Sequence, residues 1–354
     1  MAQVRVTLAD VAKKAGLSTT AASMILNNRP DTRLSKEAAE RVRAAAAELG
    51  YRPNMAARSL RTRSHTIGFL SDRIATTRFA GLLIRGAMHE ARRQDMALLI
   101  AETESDAAAD DPQGEPDSDP AAETLAIQAM MDRLPEGLLF SVARSREVTV
   151  PAQISGVPVV LLNATSATPG ACCILPDEFE GGRAVASQLL DTGHRKIAIL
   201  GRARFHTPDK YSTVTVARRV EGIFTALKGS DIQPVAELDC FVWTADEGYR
   251  AVKALIQAGT EFDALLCLND RLAFGAYQAL LEAGISIPRD VSVISFDDDP
   301  IAADLRPALT TAALPYEAMG ELAVKRLLDP KSERREHLVP MPIRQRGSVL
   351  NRMN

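Results

Sequence analysis

Three sets of residues in this sequence have types and spacings suited to recognition. The first is Thr19, Thr20, Ser23 and Met24, which share the outer side of a helix over Thr19–Leu26, with Asn27 and Asn28 just beyond. Hydroxyls can bond base edges or phosphates, a threonine methyl can meet a thymine methyl, and Met24 offers only apolar contact. A helical bundle with no nucleic-acid role would show the same short polar face. The second set is Arg58-Ser-Leu-Arg61, where Leu60 stands between two arginines. An apolar side chain flanked by guanidinium groups suits insertion between base steps in a minor groove. A plain linker with one stray leucine has the same composition. The third set is Asn163, Asn269 and Asp297, each at the carboxyl end of an apolar run. These side chains supply hydrogen-bond acceptors and donors where open α/β sheets bind small ligands.

No set has the arrangement of a catalyst. There is no GxSxG elbow, Walker loop or HExxH pair, and the five histidines are scattered. His194, within Thr192-Gly-His-Arg195, reads as a structural residue leading into a strand. Asp297, Asp298 and Asp299 have metal-binding chemistry, but a helix N-terminus with capping carboxylates accounts for them more simply. We therefore expect no enzyme, no cofactor and no metal.

The elements that would position these residues fall into two patterns. Thr7-Leu-Ala-Asp10 has the form of a capping box. Leu8, Val11, Ala12 and Ala15 follow at helical spacing, Gly16 ends the helix, Leu17 points inward and Ser18 caps a second one. A third helix, Ser35–Leu49, places Ala38, Val42, Ala45, Ala46 and Leu49 on one face, and Gly50 stops it. Two helices joined by so short a glycine turn form a helix-turn-helix, whose second helix enters the major groove. Asn54 can cap a helix of Met55–Leu60 that is too short to be stable undocked.

From Thr66 onward, apolar runs alternate with amphipathic helices. The expected segments are Thr66–Ser71, Phe79–Arg93, Met96–Ala101, Ala121–Arg133, Gly137–Val142 and Val157–Leu162, then Glu178–Thr192, Lys196–Leu200, Val214–Leu227, Ala245–Gln257, Ala264–Leu268, Arg271–Ala283 and Val291–Phe296. Repeated β-α units imply parallel sheets covered by helices on both faces. About 290 residues exceed one such lobe, so two are expected. The fold class is therefore an all-α helix-turn-helix head with an α/β body of two doubly wound parallel-sheet lobes. The domains are 1–53 for the head, 54–65 for a hinge helix and linker, and 66–354 for the body. Lobe 1 is placed at about 66–164 and 315–333, and lobe 2 at about 165–314 and 334–354.

Charge agrees with this division. Residues 1–65 hold 12 Lys/Arg against 5 Asp/Glu, whereas the whole chain carries a net −3. A basic head on an acidic body suits a polyanionic partner. Residues 102–123 carry nine Asp/Glu, no Lys/Arg and three prolines, which reads as a disordered acidic loop of unassigned role. Cys172, Cys173, Cys240 and Cys267 show no CxxC spacing, so buried thiols are expected rather than a disulfide framework or a zinc site. No apolar run spans a membrane and no signal-peptide core opens the chain, so a cytoplasmic location is expected.

The stretch from Val6 through Leu70 resembles the head and hinge of the LacI/GalR family of bacterial repressors. The matching runs are Thr7-Leu-Ala-Asp-Val-Ala-Lys-Lys-Ala-Gly-Leu-Ser18, Glu48-Leu-Gly-Tyr-Arg-Pro-Asn54, Ala57-Arg-Ser-Leu60 and Thr66-Ile-Gly-Phe-Leu70. In the body, to about Leu350, the matching runs are Thr192-Gly-His-Arg-Lys-Ile-Ala-Ile-Leu200, Leu268-Asn-Asp270, Val293-Ile-Ser-Phe-Asp-Asp298 and Pro307-Ala-Leu-Thr-Thr311. The resemblance implies a homodimer reading a near-palindromic operator in double-stranded DNA, with paired hinge helices inserting their leucines at its centre. It implies DNA contacts from Thr7, Ser18, Thr19, Thr20, Ser23, Met24, Asn27, Asn54, Ala57, Arg58, Leu60 and Arg61. Met24 departs from the family, which often carries Arg or His there, and this leaves the operator sequence open.

The body resembles periplasmic sugar-binding proteins. That implies an effector between the lobes, held by Asn163, Arg219, Trp243, Asn269 and Asp297, with Arg78, Phe79 and Tyr316 nearby. Arg219, in Arg219-Val-Glu-Gly222, matches the family's ligand arginine, and Trp243 precedes the helix of Asp246-Glu-Gly-Tyr249. Arginine, Asn and Asp together suit vicinal hydroxyls, and aromatic faces stack on sugars or on planar bases. A sugar is the first expectation and a nucleobase or nucleoside the second. Trp243 and Phe79 as core residues, and Asp297 as a helix cap, are the alternatives. No leucine heptad follows Arg346-Gly-Ser348, so no tetramerising coil is expected. A sugar-binding protein for transport would leave residues 1–65 unexplained, and an architectural DNA-binding protein would leave the ligand residues unexplained.

Overall fold

The computed structural model describes residues 6–26, 35–49, 51, 64–75, 78–103, 120–202, 213–329 and 335–353. It comprises two compact units, Met1–Ser64 and His65–Asn354.

In the first unit, α1 (Leu8–Ala15), α2 (Thr19–Leu26) and α3 (Lys36–Glu48) enclose Val11, Ala12, Ala15, Ala22, Ile25, Ala38, Val42, Ala45 and Ala46. Thr7 and Asp10 complete a reciprocal capping box, and Gly16, at φ 68°, closes α1 in a left-handed conformation that favours glycine. Ser18 Oγ accepts from the Ala21 N–H, and Ser35 Oγ accepts from the Ala38 N–H. The hinge segment falls among residues 52–63, outside the described residues.

The second unit holds two six-stranded sheets. Strands β1 (Thr66–Ser71), β2 (Ala97–Glu102), β3 (Leu138–Glu147), β4 (Val159–Thr165), β5 (Cys172–Pro176) and β11 (Glu336–Val339) form the first, in the order β11-β5-β4-β3-β1-β2. All of its pairings are parallel. Strands β6 (Ile197–Leu200), β7 (Ala236–Leu238), β8 (Ala264–Cys267), β9 (Ser292–Asp297), β10 (Thr310–Ala313) and β12 (Ile343–Arg344) form the second, in the order β12-β10-β9-β8-β6-β7. Only β12 runs antiparallel, against β10.

Helices cover both faces of each sheet. In lobe 1, α4 (Arg78–Arg93) and α11 (Tyr316–Leu328) bury one face through Leu83, Ala87, Met319 and Ala323. The other face is buried by α5 (Pro120–Met131), through Ile127 and Met130. In lobe 2, α6 (Glu178–Asp191) and α7 (Val214–Gly229) cover one face. The opposite face is covered by α8 (Ala245–Gln257) and α9 (Asp270–Glu282). A short α10 (Pro300–Asp304) follows β9.

The lobe boundaries differ from the sequence expectation at two segments. Cys172–Pro176 and Glu336–Val339 belong to the first sheet, not to lobe 2. The apolar run of β5 follows β4 by a short turn and is buried throughout, so it pairs beside its neighbour, and β11 then covers its open edge. The chain crosses between lobes three times, after β5, after β10 and after β11. Strand β3 also extends past the apolar run read as Gly137–Val142. Asp72 accepts the Ala143 N–H at 2.7 Å and pairs with Arg146 at 2.7 Å, which holds a polar strand end in place.

All four cysteines are free and buried. His194 is fully buried and, as read from sequence, structural. Its Nδ1–H donates to the Leu189 carbonyl, and its Nε2 accepts from Ser292 Oγ at 2.9 Å. Burial lowers its pKa below the usual 6.5, so it folds as the neutral imidazole. The unfolded chain binds the proton more readily. Acidification from pH 7 should therefore erode stability once the pH passes below about 6.5, the unfolded value. Urea midpoints of the wild type and of His194→Gln, compared across that window, check this. Parallel profiles would remove His194 from the account.

Candidate functional site

In the head, Thr19 and Thr20 are exposed on α2, while Ser23 and Met24 are half-buried on the flank between them and the buried Ala22 and Ile25. Thr7 and Ser18 are exposed at the helix starts. Thr7 Oγ1 donates to Asp10 while accepting from the Asp10 N–H. The Ser18 hydroxyl accepts a capping bond and still carries its hydrogen to donate. The expected contacts Asn27, Asn54, Ala57, Arg58, Leu60 and Arg61 lie outside the described residues.

The body concentrates its polar candidates at the carboxyl ends of the strands, where the two lobes meet. Arg219, in the second turn of α7, is 2% exposed. Its Nε and Nη2 donate to Glu178 at 2.6 and 2.7 Å in a bidentate pair, and Nη1 donates to the Leu268 carbonyl. Asp297 Oδ1 lies 3.9 Å from the same guanidinium, and the Phe296 ring lies beneath it, 4.4 Å from Cζ to centroid. Burial alone would lower the Arg219 pKa, but Glu178 and Asp297 outweigh it and hold it raised. The guanidinium is therefore charged, buried and already gripped.

Glycines at the helix interface seat this pair. A Cβ on Gly182 would collide with the Arg219 carbonyl oxygen, and one on Gly222 with the Phe179 carbonyl oxygen. Their absence lets α6 and α7 close on each other, which brings the first residue of α6, Glu178, onto Arg219.

Asn269 caps α9, its Oδ1 accepting from the Leu272 N–H at 2.8 Å, which leaves its amide nitrogen as the donor still available. Asp270 behind it is fully buried. It accepts from Ser295, from Thr311 at 2.8 Å and from the Asp299 N–H at 2.7 Å. Burial pushes its carboxyl up to about 6 against those three donors. Asp270 thereby ties β9 and β10 to the loop that follows Asp297. Asp297 adopts φ 114° and Asp298 φ 56°. A non-glycine residue held there stores about 1–3 kcal/mol, a cost met most often at functional sites. The other two aspartates of the run are structural. Asp299 caps α10, and Asp298 pairs with Arg346 at 2.6 Å.

On lobe 1, Phe79, Asn163 and Tyr316 line one small recess with Ser71, Leu83 and Ser141. The Phe79 and Tyr316 rings meet edge to face at 5.4 Å. Asn163, at φ 56°, donates from Nδ2 to the Val142 carbonyl and keeps its oxygen as an acceptor. Burial raises the Tyr316 pKa, and the carboxylates of Glu178 and Asp297 raise it further. Tyr316 thus lies within electrostatic reach of Glu178, Asp297 and Arg219 in lobe 2. Trp243 packs against the core that includes Leu268 and Phe296, the neighbours of Arg219. Its indole N–H donates to the Gly201 carbonyl at the end of β6, and its ring packs on the lobe-2 cores. The Arg78 side chain lies outside the described residues. On the rim, Arg218 of α7 makes a bidentate bond to Glu336 of β11 at 2.7 and 3.1 Å, an ion pair between lobes.

Sequence reasoning missed Glu178, Asp270 and Glu336. Glu178 reads as an ordinary acidic first-turn residue, and Asp270 stands inside a quoted motif without an assigned role.

A three-helix head and a two-lobed α/β body with polar groups at the lobe junction define a bacterial regulator of the periplasmic-binding-protein-like kind. Residues 186–349 match the periplasmic binding protein-like domain, and residues 7–54 match the lacI family of bacterial regulatory proteins. The chain belongs to the lacI family. It is 30% identical over 326 residues to the ribose operon repressor of Haemophilus influenzae, covering 91% of each chain. It is 29% identical over 355 residues to the ribose operon repressor of Escherichia coli strain K12, covering 97% of this chain and 99% of that one. Among solved structures it matches a lac repressor dimer bound to operator and the anti-inducer ONPF, with TM-score 0.78, 25% identity and coverage of 98% and 99%.

Proposed function

We propose that this protein is a homodimeric transcriptional repressor whose affinity for a near-palindromic operator is set by a sugar held between the lobes of its body. The observation that carries the reading is the buried cluster of Arg219, Glu178 and Asp297, beside the strand end of Leu268 and Asn269 and within electrostatic reach of Tyr316, which lines a recess with Phe79 and Asn163. Fixed acceptors and donors beside an aromatic wall suit a ring with vicinal hydroxyls and an apolar face. The ribose operon repressors among its relatives support the sugar class. Thr19, Thr20, Ser23 and Met24 on α2 are the proposed base and backbone contacts, and Leu60 with its flanking arginines is the proposed minor-groove wedge.

Effector and operator are coupled when the ligand favours one arrangement of the lobes over the other. The Arg218–Glu336 bridge and Tyr316 cross that junction, so both are sensitive to such a change.

Selection of bound DNA from a random pool, followed by affinity measurements at two salt concentrations with and without sugars, tests the reading. A palindromic consensus whose affinity responds to a sugar is expected. Leu60→Ala should weaken specific binding far more than non-specific binding. Equal loss on both DNAs would remove the wedge. A salt-dependent affinity with no consensus, under every sugar tried, would replace the regulator by a non-specific binder.

A further inference from the structure

We propose that α2 chooses its base pairs in the operator by thymine 5-methyl groups, met by the Met24 side chain and by the methyls of Thr19 and Thr20. The inference rests on the reading above that α2 enters the major groove, and adds the chemistry by which it tells one base from another.

The helix has the sequence Thr19-Thr-Ala-Ala-Ser-Met-Ile-Leu26. Of the three helices of the head it alone carries no charged side chain. Lys13 and Lys14 lie on α1, and Lys36, Arg41 and Arg43 lie on α3. A helix without cations adds little to the electrostatic attraction of the phosphates, so its outward side chains are left for the bases. The strongest base contacts are bidentate: arginine or lysine on guanine, and asparagine or glutamine on adenine. None of these four residue types occurs in α2.

What α2 offers instead are hydroxyls and apolar groups. Thr19 and Thr20 are exposed and Met24 is half-buried, while Ala22 and Ile25 turn into the core of the head. A hydroxyl both donates and accepts, so by itself it discriminates weakly between base edges. Apolar contact discriminates well, because thymine alone among the unmodified bases shows a methyl group in the major groove. Thr20 and Met24 are four residues apart and therefore share one side of the helix. Their Cβ atoms are then about 5–6 Å apart, more than one base step of about 3.4 Å, so each meets a base pair of its own.

The test uses the full-length protein and the duplex recovered by selection from a random pool, with and without sugars. Each thymine of the half-site is replaced in turn by deoxyuridine, which lacks only the 5-methyl group, at symmetric positions in both halves. At one position or more, affinity should fall about fourfold per methyl lost, hence about fifteenfold for the symmetric pair. Met24→Ala should remove the preference for thymine over uracil at one such position. Thr20→Ser, which deletes an exposed methyl and keeps the hydroxyl, should remove it at another. Because Thr20 is exposed, that variant folds even if the half-buried Met24 proves necessary to the head. A consensus whose binding is indifferent to uracil at every position overturns this proposal and leaves the operator reading standing. A preference for thymine that survives both substitutions overturns it as well. Recovery of no consensus, with or without sugars, sinks the operator reading and this proposal with it.

Discussion

Replacing Glu178 by alanine is expected to destabilise the two-lobed unit by about 3–5 kcal/mol, the typical cost of leaving one member of a buried ion pair alone. Arg219 and Glu178 have side-chain exposures of 3% and 2%, so solvent screening gives the stranded guanidinium little relief. The Leu268 carbonyl and Asp297 remain as partners, and they set the lower end of that range. Removing both charges at once, as in Glu178→Leu with Arg219→Met, should recover most of the loss, because a well-packed apolar pair avoids the desolvation cost. The double variant should fold and yet fail to respond to effector, which separates the pair's part in stability from its part in recognition. Urea denaturation of the three proteins, with operator binding measured alongside, reads both quantities. A loss below about 1 kcal/mol for Glu178→Ala would mean that the pair behaves like an exposed one.

Gly222→Ala is expected to be nearly as damaging for a different reason. The added methyl would collide with the Phe179 carbonyl oxygen, a backbone atom that no rotamer change can move aside. The helices α6 and α7 must then separate. Overpacking of this kind costs about 1–3 kcal/mol or more. The separation also pulls Glu178 from Arg219, so effector response should be lost even where the variant remains folded. At Gly229, on the same helix, an added methyl meets nothing within 4 Å, so Gly229→Ala serves as the control and should be close to neutral or slightly stabilising. Equal midpoints for the two alanine variants would show that the interface can relax around the extra carbon.

Both predictions turn on groups that sequence reasoning left aside. The caps at Thr7, Gly16, Ser18 and Ser35 were legible because a cap is made by residues three or four positions apart. The inward faces of α1 and α3 were legible from helical spacing, and the alternation of β and α in the body from the change of period. Arg219, Asn269 and Asp297 were found because their runs match a family pattern, and the structure places them at one junction. Asp297 and Asn163 proved to carry backbone strain as well as polar groups, which composition does not reveal. Strand β5 escaped because Cys172–Pro176 is short, and its partner β11 lies more than 150 residues further along the chain.

By itself, the sequence determined the helix-turn-helix head, the two-lobed α/β body and the arginine, asparagines and aspartate of the candidate site, since capping, periodicity and motif spacing are written over a few neighbouring residues. The tertiary structure decided which strands share a sheet, which lobe each crossover joins, and above all what Arg219 holds. Glu178 lies 41 residues from Arg219 in sequence, and Glu336 lies 118 from Arg218. Such pairs exist only after helices close at glycine contacts and a late strand returns to an early sheet. Partner choice for a buried charge is set by that packing, because only the folded chain excludes the water that would otherwise solvate each ion alone.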